Sequence, residues 1–151
     1  MSPADRLLTW LIRANAAVLL CAAVPVFFPT EMMAEMHQRL GLGTLARDRL
    51  TEYLTRSASA CYAMHGAVLL VLASDVRRYR RFIDWMYVIH FLFALTMLGI
   101  DLFAGMPPWW TVAEVGTIGV VAVTIFAVNQ AAKRSPASPE RQRGEGRSSG
   151  R

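Results

Sequence analysis

Three ionisable side chains stand at the edges of long apolar stretches in this chain: Arg56, Asp101 and Glu114, with Glu52 one helical turn before Arg56. A charge in apolar surroundings is costly, so such residues persist where they are paired or where they perform a task. All four fall at a similar distance along their respective stretches, which suggests one polar cluster. The set holds three acids and one base. Acids outnumber the base, so one carboxyl could stay protonated or hold a cation. The alternative use of the same residues is a structural clamp, with Arg56 reaching toward a polar boundary.

His65 and His90 are a second candidate set. Each lies eight or nine residues from the other end of its stretch, so their depths match. Two neutral imidazoles facing one another could ligate one haem iron axially, as in an electron-transfer protein carrying haem b. Helical geometry argues against combining the two sets. At about 100° per residue, His65 stands about 180° around its helix from Arg56, whereas His90 and Asp101 differ by only about 20°. A shared Arg56–Asp101 cluster would then turn His90 inward and His65 toward another neighbour, and hydrogen bonding is the simpler role for both rings. Cys21 and Cys61 form no Cys-x-x-Cys pair and have no nearby base, so they read as packing thiols. No Ser/His/Asp set, metal-ligand spacing or glycine-rich phosphate loop is present, so no catalytic residue is assigned and enzymatic activity is not expected.

The elements that must position these groups are visible in where charge is missing. Seventeen uncharged residues separate Arg13 from Glu31, 18 separate Arg56 from Asp75, 16 separate Asp84 from Asp101, and 18 separate Glu114 from Lys133. Crossing the hydrocarbon core takes roughly 20 helical residues. Spans are therefore expected near 7–28, 53–74, 82–104 and 110–131, each recruiting flanking residues. A soluble four-helix bundle would show polar stripes at helical spacing. The runs Val18-Leu-Leu20, Val68-Leu-Leu-Val-Leu72 and Val120-Val-Ala-Val123 leave none. The expected fold is an all-α transmembrane four-helix bundle over residues 1–132. Residues 133–151, rich in Ser, Pro, Gly and Arg, are expected to be a disordered basic tail.

Arginine sets the expected orientation. The 75–84 connection carries Arg77, Arg78, Arg80 and Arg81, while the 105–109 connection carries no charge. The positive-inside rule then puts both termini in the cytoplasm, with the bacterial inner membrane as the expected location. Trp10, Trp85, Trp109, Trp110 and Tyr53 fall at span ends, where amphipathic rings prefer to lie. Pro25 should kink the first span, since it cannot donate to the carbonyl of Cys21. Residues 30–40 place Met32, Met33, Met36 and Leu40 on one face, suiting a short outer interfacial helix capped by Thr30. Ser59, Ala63 and Ala67, with Gly66 alongside, form a small-residue stripe for close helix approach.

Composition fits this layout. The 151 residues are 54% hydrophobic and 18% charged, with a net charge of +5, of which +4 belongs to residues 133–151. The basic balance thus reports orientation and contact with the lipid bilayer, and gives no support for a nucleic-acid partner. Two cysteines exclude a disulfide-built secreted scaffold.

Three stretches together carry a resemblance: Tyr53-Leu-Thr-Arg56-Ser-Ala-Ser-Ala-Cys-Tyr-Ala-Met-His65-Gly66, Asp75-Val-Arg-Arg-Tyr-Arg-Arg81, and Gly99-Ile-Asp101-Leu-Phe-Ala-Gly-Met-Pro107 running into Trp109-Trp110. The pattern resembles small four-span bacterial inner-membrane proteins over residues 1–132, and is more loosely similar to DoxX-like proteins in size and span number. The resemblance implies a fold and no activity. The expected function is that of a structural or accessory subunit, or of a bundle handling protons or small solutes around Arg56, Asp101 and Glu114. A homo-oligomer or partner membrane subunits would suit either. A transporter resembling the small drug-efflux type is a further alternative, although those proteins place a key acid within the first span, where this chain offers Arg13 and Asn15.

Overall fold

The computed structural model describes residues 1–134, so all but the first two residues of the tail expected over 133–151 lie outside the described residues. Five α-helices account for the fold: α1 (Pro3–Leu20), α2 (Thr30–Arg39), α3 (Arg49–Ser74), α4 (Arg80–Ala104) and α5 (Pro108–Arg134). Four stretches are long and apolar enough to cross a membrane: α1 with its extension to Phe27, α3, α4 and α5. A long apolar helix is found at each position where a span was expected. The helices run beyond the uncharged stretches, since charged residues at a helix end can still reach water. Lys133 and Arg134, expected in the tail, close the last turn of α5 instead. There they face the negative end of the helix dipole.

Local signals account for the helix ends. Ser2 caps α1 by accepting from the Asp5 amide, while the Asp5 carboxylate accepts from the Ser2 amide, forming a capping box with Pro3 as first residue. The α-ladder of the first span stops at Leu20 and continues as two 3₁₀ turns, Cys21–Ala23 and Pro25–Phe27. Pro25 has no amide to extend the ladder, which accounts for the expected break. Gly105 ends α4 in a left-handed conformation (φ 66°) that lets the Met106 amide close onto the Asp101 carbonyl. Pro29, not Thr30, is the residue before α2, its carbonyl accepting from the Met32 and Met33 amides, and the Thr30 hydroxyl donates to Glu52 rather than capping the helix.

At the start of α3, Asp48 accepts from the Thr51 amide (2.9 Å) and hydroxyl (2.9 Å). These bonds hold its carboxyl below the usual carboxylate range. A depressed folded-state value means the cap is fully present above the ordinary aspartate range and is lost as pH falls through the folded value. Protection of the Thr51 amide against exchange, relative to its intrinsic rate at each pH, should therefore fall in acid, and Asp48→Asn should remove that pH-dependent loss of protection.

In space the long helices follow the order α3, α1, α5, α4. The most extensive packing joins α1 to α3 and α4 to α5, and α1 to α5 links the two pairs. Most of the core lies in the half of the bundle nearest the N-terminus. It comprises Leu8, Ile12 and Ala16 of α1, with Leu69, Leu72 and Ala73 of α3, Ile83 and Tyr87 of α4, and Ala122 and Ile125 of α5. In the opposite half of α4 only Ala94 and Asp101 are buried. Helices α1 and α3 approach closely at Gly66, where an added Cβ would stand 2.8 Å from the Ala16 carbonyl oxygen. The small-residue stripe thus works through Gly66, whereas Ala67 faces outward.

Candidate functional site

The cluster expected around Arg56 divides into two groups. Arg56 makes an ion pair with Glu52 (2.9 Å) and donates to the carbonyls of Val26 and of Phe28 (3.0 Å). Glu52 in turn accepts from the Thr30 hydroxyl (3.1 Å). These bonds occupy backbone carbonyls where the first long helix ends, and they pin that end and the start of α2 to α3. Among the described residues no ion pair joins Arg56 to Asp101 or Glu114. Arg56 and Glu52 accordingly have the geometry of a clamp.

Asp101 and Glu114 form the second group, between the end of α4 and the start of α5. Asp101 is 3% exposed, and its Oδ2 is buried without a hydrogen-bond partner among the described residues. Glu114 is close enough to interact electrostatically with both Asp101 and Tyr62 of α3. Its one direct hydrogen bond is from the Trp110 indole (2.9 Å), one turn earlier on the same helix. Two acids therefore share this end of the bundle without a basic residue bonded to either.

Deeper in the bundle, His65 and His90 meet edge to face, with ring centroids 4.7 Å apart. The Tyr87 ring stacks on His90 at 5.0 Å, and the Tyr87 hydroxyl is 3.4 Å from the Asn15 amide nitrogen. His90 Nδ1 bonds the Met86 carbonyl (2.7 Å), so that nitrogen carries a proton, since a carbonyl can only accept. His65 Nε2 is buried without a partner among the described residues. The expectation that His65 would turn away from His90 rested on Arg56 facing Asp101. Because Arg56 faces the end of the first span, the opposite face of α3 is free to present His65 to α4. Apart from this contact, α3 and α4 share no extended packing, and the ring of helices is open along that seam.

The two imidazoles do not fit the haem expectation in this arrangement. Axial ligands on one iron stand on opposite faces of a porphyrin, at Fe–N distances of about 2 Å, so their ring centroids lie roughly 6 Å apart. Here the rings touch, leaving no slot for a macrocycle between them. Among the described residues no group of three or more His, Cys, Asp or Glu is placed to hold a metal ion. Cys21 and Cys61 are both unpaired and exposed.

Sequence reasoning missed the polar network at the N-terminal end. Asp5, 1% exposed, accepts from Arg77 (2.9 Å from Nε) and pairs with Arg80. Asp84 accepts from Asn129 (2.8 Å) and Gln130 (3.1 Å) and pairs with Lys133. These bonds join α1, the 75–79 turn, α4 and α5. The available signal was an acid opposite an arginine-rich turn and an Asn, Gln and Lys spaced along the end of α5. Asp5 also shows that the first span does contain an acid, but its carboxylate is committed to two arginines.

Comparison with protein-family models, with curated proteins and with solved structures gives no match for this chain.

Proposed function

We propose that the protein is a four-span membrane protein that handles protons or small monovalent cations through the Asp101–Glu114 pair and the α3–α4 seam. The observation that carries this reading is the Asp101 carboxylate, almost wholly buried with one oxygen unpartnered among the described residues and within electrostatic reach of Glu114. Such a group needs a positive charge, and without a bonded arginine or lysine the smallest available is a proton. Tyr62, His65, His90, Tyr87 and Asn15 continue the polar groups inward from that end. Each imidazole can accept a proton at one nitrogen and release it at the other, which suits a relay through a site of restricted water. Arg56 and Glu52 serve as the clamp that holds the outer connection in place.

The positive-inside rule orients this proposal. The end with Arg6, Arg77, Arg78, Arg80 and Arg81 lies in the cytoplasm and the carboxylate end faces outward, in a bacterial inner membrane. Helix α2, with Met32 and Met36 exposed, then lies along the outer surface.

The test is proton flux in proteoliposomes with an entrapped pH-sensitive dye. Glu114→Gln and Asp101→Asn should each lower the flux per folded molecule by about tenfold or more while the bundle stays folded, as expected when an intramembrane carboxyl is the proton carrier. Arg56→Ala should reduce resistance to unfolding and leave the flux per folded molecule unchanged. A wild-type flux no greater than that of empty liposomes, or full flux in Glu114→Gln, would overturn the reading.

A further inference from the structure

At the N-terminal end of the bundle, α1 and the end of α3 enclose an open cleft of about 260 Å³. Its walls include Arg6, Trp10 and Arg13 from α1, facing Ser74, Asp75 and Arg77. The α1 residues are spaced by four and three positions, so they form one stripe on that helix. Arg6 and Arg13 make no ion pair among the described residues. Arg77 is already paired with Asp5, although its side chain remains 53% exposed. Asp75 opposes this charge in part, with one oxygen accepting from the Arg78 amide (3.1 Å). With three arginines and one aspartate, the wall is left with a surplus of positive charge.

The position of the cleft selects among anions. Trp10 is 69% exposed and lies between the two arginines on the stripe, as an indole does where hydrocarbon meets headgroups. Leu7, on the neighbouring face, is also exposed. A phosphate drawn in by Arg6 and Arg13 would therefore have an apolar surface beside it. The cleft volume is below the roughly 300–1,000 Å³ typical of sites that enclose a whole drug-sized ligand. It suits a headgroup with the acyl chains lying outside along α1. Basic pockets between membrane helices are where anionic headgroups bind.

We propose that this cleft binds the phosphate of an anionic phospholipid, with Arg6 and Arg13 as its main partners and Trp10 packing against the glycerol and upper chain. The inference stands apart from proton handling, which takes place at the opposite end of the bundle.

Full-length protein in mild detergent, titrated with phosphatidylglycerol or phosphatidylcholine and read by native mass spectrometry, provides the test. Wild type should retain one phosphatidylglycerol in preference to phosphatidylcholine. The double variant Arg6→Gln/Arg13→Gln should weaken that retention by about tenfold or more, in line with the typical effect of each basic residue at a lipid surface. Arg6→Lys/Arg13→Lys should keep most of it, and Arg47→Gln/Arg49→Gln at the other end should leave it unchanged. Equal retention of the two lipids, no effect of the glutamine pair, or an equal loss in Arg47→Gln/Arg49→Gln would overturn the proposal. Displacement of the lipid by millimolar inorganic phosphate would overturn the lipid assignment in favour of a soluble phosphate.

Discussion

Replacing Gly66 with leucine should separate α1 from α3 and abolish the stable bundle. At this position an added Cβ would meet the Ala16 carbonyl oxygen at 2.8 Å and the Leu20 amide nitrogen at 3.0 Å. Both are backbone atoms, so neither can swing aside as a side chain would. Gly66→Ala should destabilise by about 1–2 kcal/mol, because overpacking costs about 1–3 kcal/mol. Up to about 1 kcal/mol of gained helix propensity works in the opposite direction. Leucine adds a branched side chain to the same contact, and no rearrangement short of moving a helix accommodates it. Gly99 and Gly119 provide the contrast, since nothing lies within 4 Å of a Cβ built on either. Alanine at those positions should be neutral or mildly stabilising. Unfolding of the three alanine variants in graded mixed micelles would check the ordering, and equal stability of Gly66→Ala and Gly99→Ala would contradict it.

The second large effect is expected at Asp5. Asp5→Ala removes half of the capping box and leaves Arg80, whose side chain is only 20% exposed, without its carboxylate. Breaking a buried pair by deleting one partner typically costs 3–5 kcal/mol. Arg77 and the chain end are more accessible here, so about 3 kcal/mol is expected. Asp5→Asn keeps the shape and part of the cap, and should lose roughly half as much. A double-mutant cycle of Asp5→Ala with Arg80→Ala should return a coupling of about 1–3 kcal/mol. Additive losses would mean that the pair contributes nothing beyond packing.

Four long apolar helices were legible because the absence of charge over 16–18 residues is a one-dimensional signal. Pro25 was legible for the same reason, as the missing amide is local chemistry. Side-chain partnerships were harder to read, since they depend on how each helix is rotated and on which helices are neighbours. Matching depth placed Arg56, Asp101 and Glu114 at one level, yet Arg56 found its partners in the carbonyls of Val26 and Phe28, and a sequence does not mark which carbonyls are free. His65 and His90 matched in depth and do meet, although the helical wheel argued otherwise, because one premise about Arg56 fixed the assumed rotation of α3. Asp5 and Asp84 went unnoticed because they lie near arginine-rich ends, where an acid passes for ordinary surface charge.

The spatial order α3–α1–α5–α4 has a consequence for biosynthesis. Helices α1 and α3 emerge from the ribosome before α4 and α5, and each of these consecutive pairs is also a pair with extensive packing. Each hairpin can therefore complete its own interface before the other exists. What joins them afterwards is the α1–α5 contact and the bonds that Asp5 makes to Arg77 and Arg80. A chain arranged in this way assembles as two prefabricated halves. The loosely joined line between those halves is the α3–α4 seam on which His65 and His90 face each other.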